Sequence, residues 1–200
     1  MNILAALRAY AAHPDDATRV VNTIALLVGS NGPFYPAYVW FLAPEAFAAS
    51  LATMAASPFF LLVPWLSRRN AVAAHAALPA IGIANTVWTC ALLGPETGVA
   101  AFLYPCLVLA LLCWRNRALM LGVLGAGLAA QQLLLRWPWP PLSGLGAEGQ
   151  AALLGLNGLS GGALVAFIVL QAASLPLRSI PGQVAPRAAR SATPSGPLPS

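Results

Sequence analysis

Lysine is absent from this sequence, and acidic residues are scarce. Only 5 of the 200 residues are Asp or Glu, and all charged residues together make up 8% of the chain. Soluble domains carry roughly three times that share. Hydrophobic residues account for 59% of the chain, so a soluble fold would have too few charged side chains to cover its surface. The composition therefore predicts an integral membrane protein whose partner is the lipid bilayer.

The sequence also lacks the patterns of nucleic-acid binding and of common catalytic sites. Its ten arginines stand singly or in pairs between apolar stretches, whereas a nucleic-acid partner would require a dense basic face. A glycine-rich phosphate loop, a nucleophile elbow and paired catalytic carboxylates are all missing. We therefore predict that the chain is not an enzyme, holds no cofactor and binds no nucleic acid.

Cysteine and histidine are too few and too scattered to predict a metal site. Cys90, Cys106 and Cys113 lie inside apolar stretches without a C-x-x-C spacing, and we expect them to be small buried residues. A metal or haem held by His13 and His75 is an alternative, because histidine is a common ligand of both. Hydrogen-bonded or solvated histidines are more frequent, so we predict no metal ligand.

Apolar stretches of about 20 residues recur along the chain, and each matches the hydrocarbon core of a bilayer. They lie at residues 20–42, 46–66, 71–94, 98–114, 118–135 and 151–175. The first is interrupted between Gly29 and Pro33 and again at Pro36, where we expect a kink or an unwound turn. The sequence predicts an all-α fold, an integral membrane bundle of about six transmembrane helices in three antiparallel hairpins.

The charged residues alternate between the two sides of such a bundle. Nine arginines fall on one side, namely Arg8, Arg19, Arg68, Arg69, Arg115, Arg117, Arg178, Arg187 and Arg190. Arg136 falls on the other side together with Glu45, Glu96 and Glu148. Arginines in short loops stay in the cytoplasm. We therefore predict a multi-pass protein of the inner (plasma) membrane with both termini in the cytoplasm.

Three regions follow from this plan. Residues 1–19 are a cytoplasmic N-terminal segment, whose amphipathic start predicts a helix on the membrane surface and whose Asp15-Asp16 pair predicts the start of a new helix. Residues 20–177 form the transmembrane domain, and no removable signal peptide is predicted. Residues 178–200 are rich in Pro, Ala and Ser, which predicts a disordered cytoplasmic tail.

Polar side chains inside the predicted spans are candidates for function, because they are costly in lipid unless they face the interior of the bundle. They are Asn22, Asn31, His75, Asn85, Thr86, Thr89, Gln131, Gln132, Asn157, Ser160 and Gln171. For most of them we favour hydrogen bonds between helices. Because charged residues are missing from the middle of the spans, a transporter remains an alternative only for a neutral solute, and the broken first span favours it.

Glycines on the last two predicted spans favour close packing of helices. They are Gly122, Gly125, Gly127, Gly155, Gly158, Gly161 and Gly162. A groove for an apolar ligand, lined by Trp40, Trp88 and Tyr104, is the alternative use of the same surfaces.

Two stretches resemble parts of a known architecture. The first runs from Leu92 to Gly98 as Leu-Leu-Gly-Pro-Glu-Thr-Gly, and Phe-Leu-Tyr-Pro at residues 102–105 and a basic turn at residues 115–117 follow it. The second is residues 29–40, which carry Gly, Pro, Tyr and Trp. Both are similar to the six-helix membrane domains of bacterial class III adenylate cyclases and autoinducer sensor histidine kinases, and the resemblance covers about residues 20–175.

This resemblance implies three hairpins, a homodimer and a lipophilic signal that is passed through the last helix. In those proteins a signalling helix and a cyclase or kinase domain follow, whereas here a Pro-rich tail follows Leu177, so a separate signalling partner is expected. We predict a non-enzymatic, sensor-type membrane module that receives a lipophilic or membrane signal. The alternatives are a small transporter or channel-like protein for a neutral solute, or a structural membrane subunit. The predicted ligand-binding residues are Trp40, Asn85, Trp88, Glu96 and Tyr104.

Overall fold

The computed structural model describes residues 2–113, 116–136 and 144–175, so the predicted tail at 178–200 lies outside the described residues. The α-helices, numbered along the chain, are α1 (Ile3–Ala11), α2 (Asp16–Asn31), α3 (Tyr35–Leu42), α4 (Phe47–Leu51), α5 (Ser57–Ser67), α6 (Ala71–Leu93), α7 (Leu103–Leu109), α8 (Arg117–Arg136) and α9 (Ala147–Ala173). Short 3-10 turns join or extend them at Gly32–Phe34, Pro44–Ala46, Ala52–Ala56, Pro95–Thr97, Val99–Phe102 and Ala110–Cys113. These described ranges contain no strand, which confirms the all-α prediction.

Short polar side chains set the starts of α2 and α6. The Asp15 carboxylate accepts a hydrogen bond from the backbone N–H of Thr18 at 2.9 Å. The Asn70 side chain accepts one from the N–H of Ala73 at 3.0 Å. Each cap satisfies an N–H group that has no partner inside its own helix. The start of α2 directly after Asp15 confirms the predicted helix start.

Four helical segments are long and apolar enough to cross a bilayer, which is fewer than the six predicted. They are Pro44–Ser67, Ala71–Leu93, Arg117–Arg136 and Ala147–Ala173. The fourth predicted span, at residues 98–114, contains the apolar helix Val99–Leu109, which covers only about 16 Å of a hydrocarbon core about 30 Å thick. The described helices therefore agree with a multi-pass membrane protein, while the crossing of six helices in three hairpins stays a prediction.

The first predicted span is helical but interrupted. α2 ends at Asn31, and the 3-10 turn Gly32–Phe34 leads into α3. Pro33 has no backbone N–H, so the carbonyl of Gly29 loses the donor that a continuous α-helix would supply. The expected interruption is confirmed, but it is a 3-10 turn, which is wound more tightly than an α-helix, and residues 20–42 are not one continuous α-helix.

The helices pack so that charged residues gather at two ends of the bundle. At the basic end, Thr18 Oγ1 lies 3.0 Å from His75 Nε2, and His75 Nδ1 lies 3.3 Å from the carbonyl oxygen of Leu112. At the acidic end, the side-chain amide of Asn157 donates to the carbonyl of Thr97 at 2.8 Å. The nearby charges at the basic end are Arg68, Arg69, Asp15 and the ion pair of Arg19 with Asp16, and those at the acidic end include Glu45, Glu96 and Glu148. Placement of the basic end in the cytoplasm stays a prediction.

Two of the three buried apolar clusters in the described chain fill the bundle at these ends. The basic-end cluster consists of Val20, Val21, Ile24, Ala25, Phe60, Val63, Ala74, Leu78, Leu109, Leu112 and Ile168. The acidic-end cluster consists of Val39, Ala43, Ala46, Leu92, Leu93, Leu145 and Leu153. Contact between apolar side chains holds helices together even where lipid surrounds them. The clusters therefore fix the helices around the middle of the bundle.

The predicted close packing at glycines holds at only part of α8 and α9. A Cβ added at Gly127 would lie 2.6 Å from Leu107 Cδ2, and one added at Gly161 would lie 3.4 Å from Ala101 Cβ. At five other positions an added Cβ would meet no atom of the described chain within 4 Å, so close packing there stays a prediction, namely at Gly122, Gly125, Gly155, Gly158 and Gly162. These glycines lie on the outward sides of the two helices, which contact their neighbours along one side only.

α1 lies against the basic end of the bundle. The Tyr10 hydroxyl donates to the carbonyl of Leu61 at 3.0 Å, and Arg68 Nη2 donates to the carbonyl of Tyr10 at 3.1 Å. The Arg68 guanidinium also lies 5.1 Å from the centre of the Tyr10 ring. Ile3 and Leu4 point away from the bundle and are 76% and 61% exposed. The amphipathic helix is confirmed, and its location on the membrane surface stays a prediction.

Candidate ligand-binding cavity

A cavity of about 360 Å³ lies in the middle of the bundle, between the basic-end and acidic-end clusters. Its walls come from α2, α3, α5, α6, α7 and α9, together with the 3-10 turns at Gly32–Phe34, Ala52–Ala56 and Val99–Phe102. Pockets that bind small molecules in proteins have volumes upward of about 300 Å³. The cavity is therefore large enough to hold one small ligand.

The half of the cavity nearer the basic end is apolar. Its lining residues are Ile24, Phe60, Leu78, Leu109, Leu164 and Phe167. All six either belong to the basic-end cluster or pack against it. Since these side chains offer only hydrocarbon surface, this half can hold only the apolar part of a ligand.

The half nearer the acidic end carries the polar side chains of the lining. They are Asn31, Tyr35, Tyr38, Thr53, Ser57, Asn85, Thr86, Thr89 and Ser160. Two of their hydroxyl groups are already used inside their own segment, because Thr53 donates to the carbonyl of Ser50 at 2.6 Å and Thr86 donates to the carbonyl of Gly82 at 2.8 Å.

Two polar groups of this lining are buried without a hydrogen-bond partner among the described residues. They are the Tyr35 hydroxyl and Asn85 Oδ1. A buried polar group without a partner costs about 1–3 kcal/mol, so such groups are rare unless water or a ligand satisfies them. Both residues belong to the wall of the cavity, and the two unpaired atoms lie behind its surface at the polar half.

Asn157 extends this polar region beyond the lining. Its side chain is fully buried, and its Nδ2 is the atom that faces the carbonyl of Thr97, because a carbonyl can only accept. Oδ1 therefore points elsewhere and has no partner in the described chain. The same side chain approaches the Tyr35 hydroxyl without forming a hydrogen bond of ordinary geometry. The acidic end of the cavity is thus the polar end.

Glycines allow two of the close approaches that shape the cavity. A Cβ added at Gly32 would collide with Ser57 Oγ, so glycine lets the end of α2 meet the start of α5. A Cβ added at Gly82 would lie 2.6 Å from Cys106 Sγ. Glycine at this position lets the Cys106 thiol of α7 lie in the cavity wall beside α6, where it donates to the carbonyl of Phe102 at 3.3 Å.

Charged side chains are missing from the lining formed by the described residues. The described lining contains no Asp, Glu, Arg or His side chain. A charged ligand would lose its hydration there without gaining an opposite charge, at a high cost in free energy. The described lining also lacks a general base next to a nucleophile. The arrangement can hold and orient an uncharged molecule.

Comparison with known proteins adds no homologue to this picture. No protein-family model, curated protein or solved structure matches the chain. The resemblance to membrane sensor domains accordingly stays a prediction, and the functional argument rests on the cavity.

Of the five predicted ligand-binding residues, only Asn85 lines the cavity. Trp40 is 54% exposed and meets the Phe47 ring edge to face, with ring centres 4.7 Å apart. Trp88 is 49% exposed and donates from Nε1 to the carbonyl of Ala52 at 3.2 Å. Tyr104 and Glu96 are also exposed. The structure therefore does not bring the five together, and ligand binding by the four exposed residues stays a prediction.

Both histidines are hydrogen-bonded, as the interpretation we favoured requires. His75 bridges Thr18 and the end of the α7 segment, and His13 Nδ1 accepts from the backbone N–H of Asp15 at 3.1 Å. Within the described ranges, no group of three or more His, Cys, Asp or Glu side chains is placed to hold a metal ion. The side chain of Cys113 lies outside what the structure describes.

Several lining residues were not predicted from the sequence, chiefly Tyr35, Tyr38 and Ser57. Asn31, Tyr35 and Tyr38 are spaced four and three residues apart, which places them on one face of a helix. This spacing next to the Gly32-Pro33 interruption was the available signal. Ser57 gave none, because its role depends on contact with Gly32, 25 residues earlier in the chain.

Proposed function

We propose that the chain is a non-enzymatic, sensor-type membrane module that receives a small, uncharged, largely apolar molecule in its central cavity. In this proposal six helices in three antiparallel hairpins cross the inner (plasma) membrane, and both termini lie in the cytoplasm. The observation that carries the proposal is the cavity of about 360 Å³, in which polar side chains, among them Asn31, Asn85 and Ser160, interrupt an apolar lining. Ligand pockets combine an apolar wall with a few polar groups in the same way.

The last described helix gives the cavity a route to the rest of the chain. α9 contributes Leu156, Ser160, Leu164 and Phe167 to the lining. These residues are spaced by four, four and three positions and so form one continuous helix face. A ligand that fills the cavity would contact this face over about 16 Å. A shift of α9 could then be read by a second copy of the chain or by a separate signalling partner.

Protection of the Cys106 thiol tests ligand entry into the cavity. In a variant that carries Cys90→Ala and Cys113→Ala, Cys106 is the single thiol. We expect 1-dodecanol to slow the reaction of N-ethylmaleimide with this variant in lipid nanodiscs in a saturable manner, because the thiol lies in the cavity wall. Intact-protein mass spectrometry measures the rate.

A control thiol distinguishes cavity occupation from a general effect on the lipid. Ser174→Cys, made in a background in which all three native cysteines are alanine, places a thiol at an exposed position after α9. Its labelling rate should not change with 1-dodecanol. If Cys106 and this control slowed equally, or if Cys106 showed no saturation, the binding proposal would be refuted.

Transport of a neutral solute is the second candidate function. The interrupted helix at Gly32–Phe34 borders the cavity, and broken helices mark substrate sites in many transporters. Proteoliposomes shrink and reswell in a glycerol gradient, and stopped-flow light scattering follows this process. Faster reswelling than in protein-free liposomes would favour transport. Saturable binding at Cys106 without faster reswelling would favour the sensor module.

A further inference from the structure

We infer that the cavity selects an uncharged amphiphile in one orientation, with its hydrogen-bonding group at the acidic end and its hydrocarbon part toward the basic end. This inference rests on the proposed binding function and adds the chemical class and the direction of the ligand. It would distinguish the site from a general hydrophobic cavity that lipid chains fill in any orientation.

The polarity of the lining changes along the bundle in the same sense on three separate helices. On α2 the lining passes from Ile24 to Asn31, and on α6 it passes from Leu78 to Asn85. On α9 it passes from Phe167 to Ser160, although this helix approaches the basic end in the opposite chain direction. Each pair is seven residues apart, which corresponds to about 10 Å along a helix.

Because the polarity of the lining changes in the same direction on three helices, the change is a property of the whole cavity and not of one helix. The apolar members Ile24, Leu78 and Phe167 all contact the basic-end cluster. Tyr35, which lies four residues beyond Asn31, continues the polar lining about one turn farther toward the acidic end. A molecule with one apolar part and one polar part separated by about 10 Å would match both halves at once.

The hydrogen-bonding groups define the polar part of the ligand. The amides of Asn31 and Asn85 and the hydroxyls of Tyr35 and Ser160 belong to the lining, and such groups supply both donors and acceptors. A hydroxyl or a neutral amide on the ligand can both accept and donate, so either suits this mixed lining. A carboxylate cannot donate, and an ammonium cannot accept. Neither ion meets an opposite charge in the described lining.

The volume sets how much of a ligand the cavity can enclose. A cavity of 150 Å³ holds benzene, which has six non-hydrogen atoms. At the same packing, the cavity of about 360 Å³ would hold on the order of 14 non-hydrogen atoms. A primary alcohol or amide with a chain of roughly a dozen carbons fits this size.

Four probes with the same 12-carbon chain test the chemical class. They are 1-dodecanol, dodecane, dodecanoate and dodecyltrimethylammonium, each dosed per lipid molecule to correct for partition into the bilayer. In the Cys106-only variant, we expect 1-dodecanol to protect the thiol at a dose at least about tenfold lower than either ion, because each ion would enter unpaired. Protection by dodecane should require a dose about fivefold higher than for 1-dodecanol.

Tyr35→Phe tests the polar contact, with Tyr104→Phe as its matched control. Loss of the Tyr35 hydroxyl should raise the half-protecting dose of 1-dodecanol by about fivefold and leave that of dodecane unchanged. Tyr104→Phe removes the same atom from a side chain that is 57% exposed and outside the cavity lining. It should change neither dose.

Photolabelling tests the orientation. A dodecanol with a diazirine at its terminal carbon should label the surroundings of Leu78, Leu109 and Phe167. One with the diazirine beside the hydroxyl should label those of Tyr35 and Thr89. Peptide mass spectrometry locates the sites, and a reversed or mixed distribution would overturn the inference.

The outcomes separate this inference from the binding proposal. Equal protection by all four probes, or by dodecane and 1-dodecanol, would leave the cavity as a binding site and refute the selection of a polar group. Absence of saturable protection by every probe would refute both. Preference for 1-dodecanol together with the expected photolabelling pattern would support both.

Discussion

Replacing Gly32 with alanine would place a methyl group where the Ser57 hydroxyl lies. A Cβ at this position collides with Ser57 Oγ and lies 3.2 Å from Ser57 Cβ and 4.0 Å from Ser57 Cα. The φ of Gly32 is −49°, which alanine adopts without strain, so the backbone conformation does not oppose the change. The effect of Gly32→Ala therefore measures the contact between the end of α2 and the start of α5, at the polar half of the cavity.

Two opposing terms set the size of this effect. Alanine stabilises a helical position by up to about 1 kcal/mol relative to glycine. Overpacking of a well-packed contact costs about 1–3 kcal/mol. Gly122→Ala supplies the first term without the second, because a Cβ there meets no atom of the described chain within 4 Å. We expect Gly32→Ala to be less stable than Gly122→Ala by about 1–3 kcal/mol.

Denaturant unfolding of the protein in mixed micelles, followed by circular dichroism, gives both free energies. Ser57→Gly should rescue Gly32→Ala, because only the Cα of residue 57 would remain near the new methyl group, at 4.0 Å. The double-mutant cycle should yield a coupling of about 1 kcal/mol or more. Equal stability of Gly32→Ala and Gly122→Ala, or additive effects of Gly32→Ala and Ser57→Gly, would refute the described α2–α5 contact.

Three further predictions concern other parts of the molecule. Arg68→Met should speed hydrogen exchange of the α1 amides by about fivefold, because it removes the hydrogen bond from Arg68 to the carbonyl of Tyr10. The control is Arg69→Met, which should leave that exchange unchanged, because the Arg69 guanidinium lies over the Trp65 ring, 4.2 Å from its centre. Asn157→Ala should lower the free energy of unfolding by about 1–3 kcal/mol, since Thr97 loses a buried donor, whereas the exposed Gln132→Ala should change it by less than about 0.5 kcal/mol. Equal hydrogen exchange in Arg68→Met and Arg69→Met would contradict the contact between Arg68 and Tyr10. Equal stability of Asn157→Ala and Gln132→Ala would contradict the contact between Asn157 and Thr97. In intact cells, a membrane-impermeant maleimide should label Glu148→Cys but label Arg69→Cys only after permeabilisation; the reverse pattern would refute the predicted orientation.

Local features of the fold could be predicted from the sequence because they depend on neighbouring residues. Asp15 starts α2 by capping it, and Pro33 interrupts the first helical span through its missing N–H. The all-helical character follows equally from long apolar stretches. The short Val99–Leu109 helix was harder to foresee. Gly98 there has a φ of +75°, and the 3-10 turn Val99–Phe102 after it uses residues that hydropathy alone assigns to a span.

The cavity could be predicted only in part, because it depends on which helix faces meet. Asn85 was identified as a polar residue within a span, but hydropathy does not reveal that it shares a wall with Tyr35. Trp40 and Trp88 are large and amphipathic, which suits a ligand site and an outer helix surface equally well. The structure places both on the outer surface. Sequence spacing indicates a face of a helix but does not say what that face contacts.

The most direct test of the account is the equilibrium binding of radiolabelled 1-dodecanol to the protein in nanodiscs. Thr86→Phe, which adds a ring at a buried lining position, provides the comparison, with helical content checked by circular dichroism. The account predicts one saturable site per wild-type chain above the linear partition into lipid, and none in the folded Thr86→Phe variant. Linear uptake alone in the wild-type protein, or an identical saturable site in the variant, would contradict it.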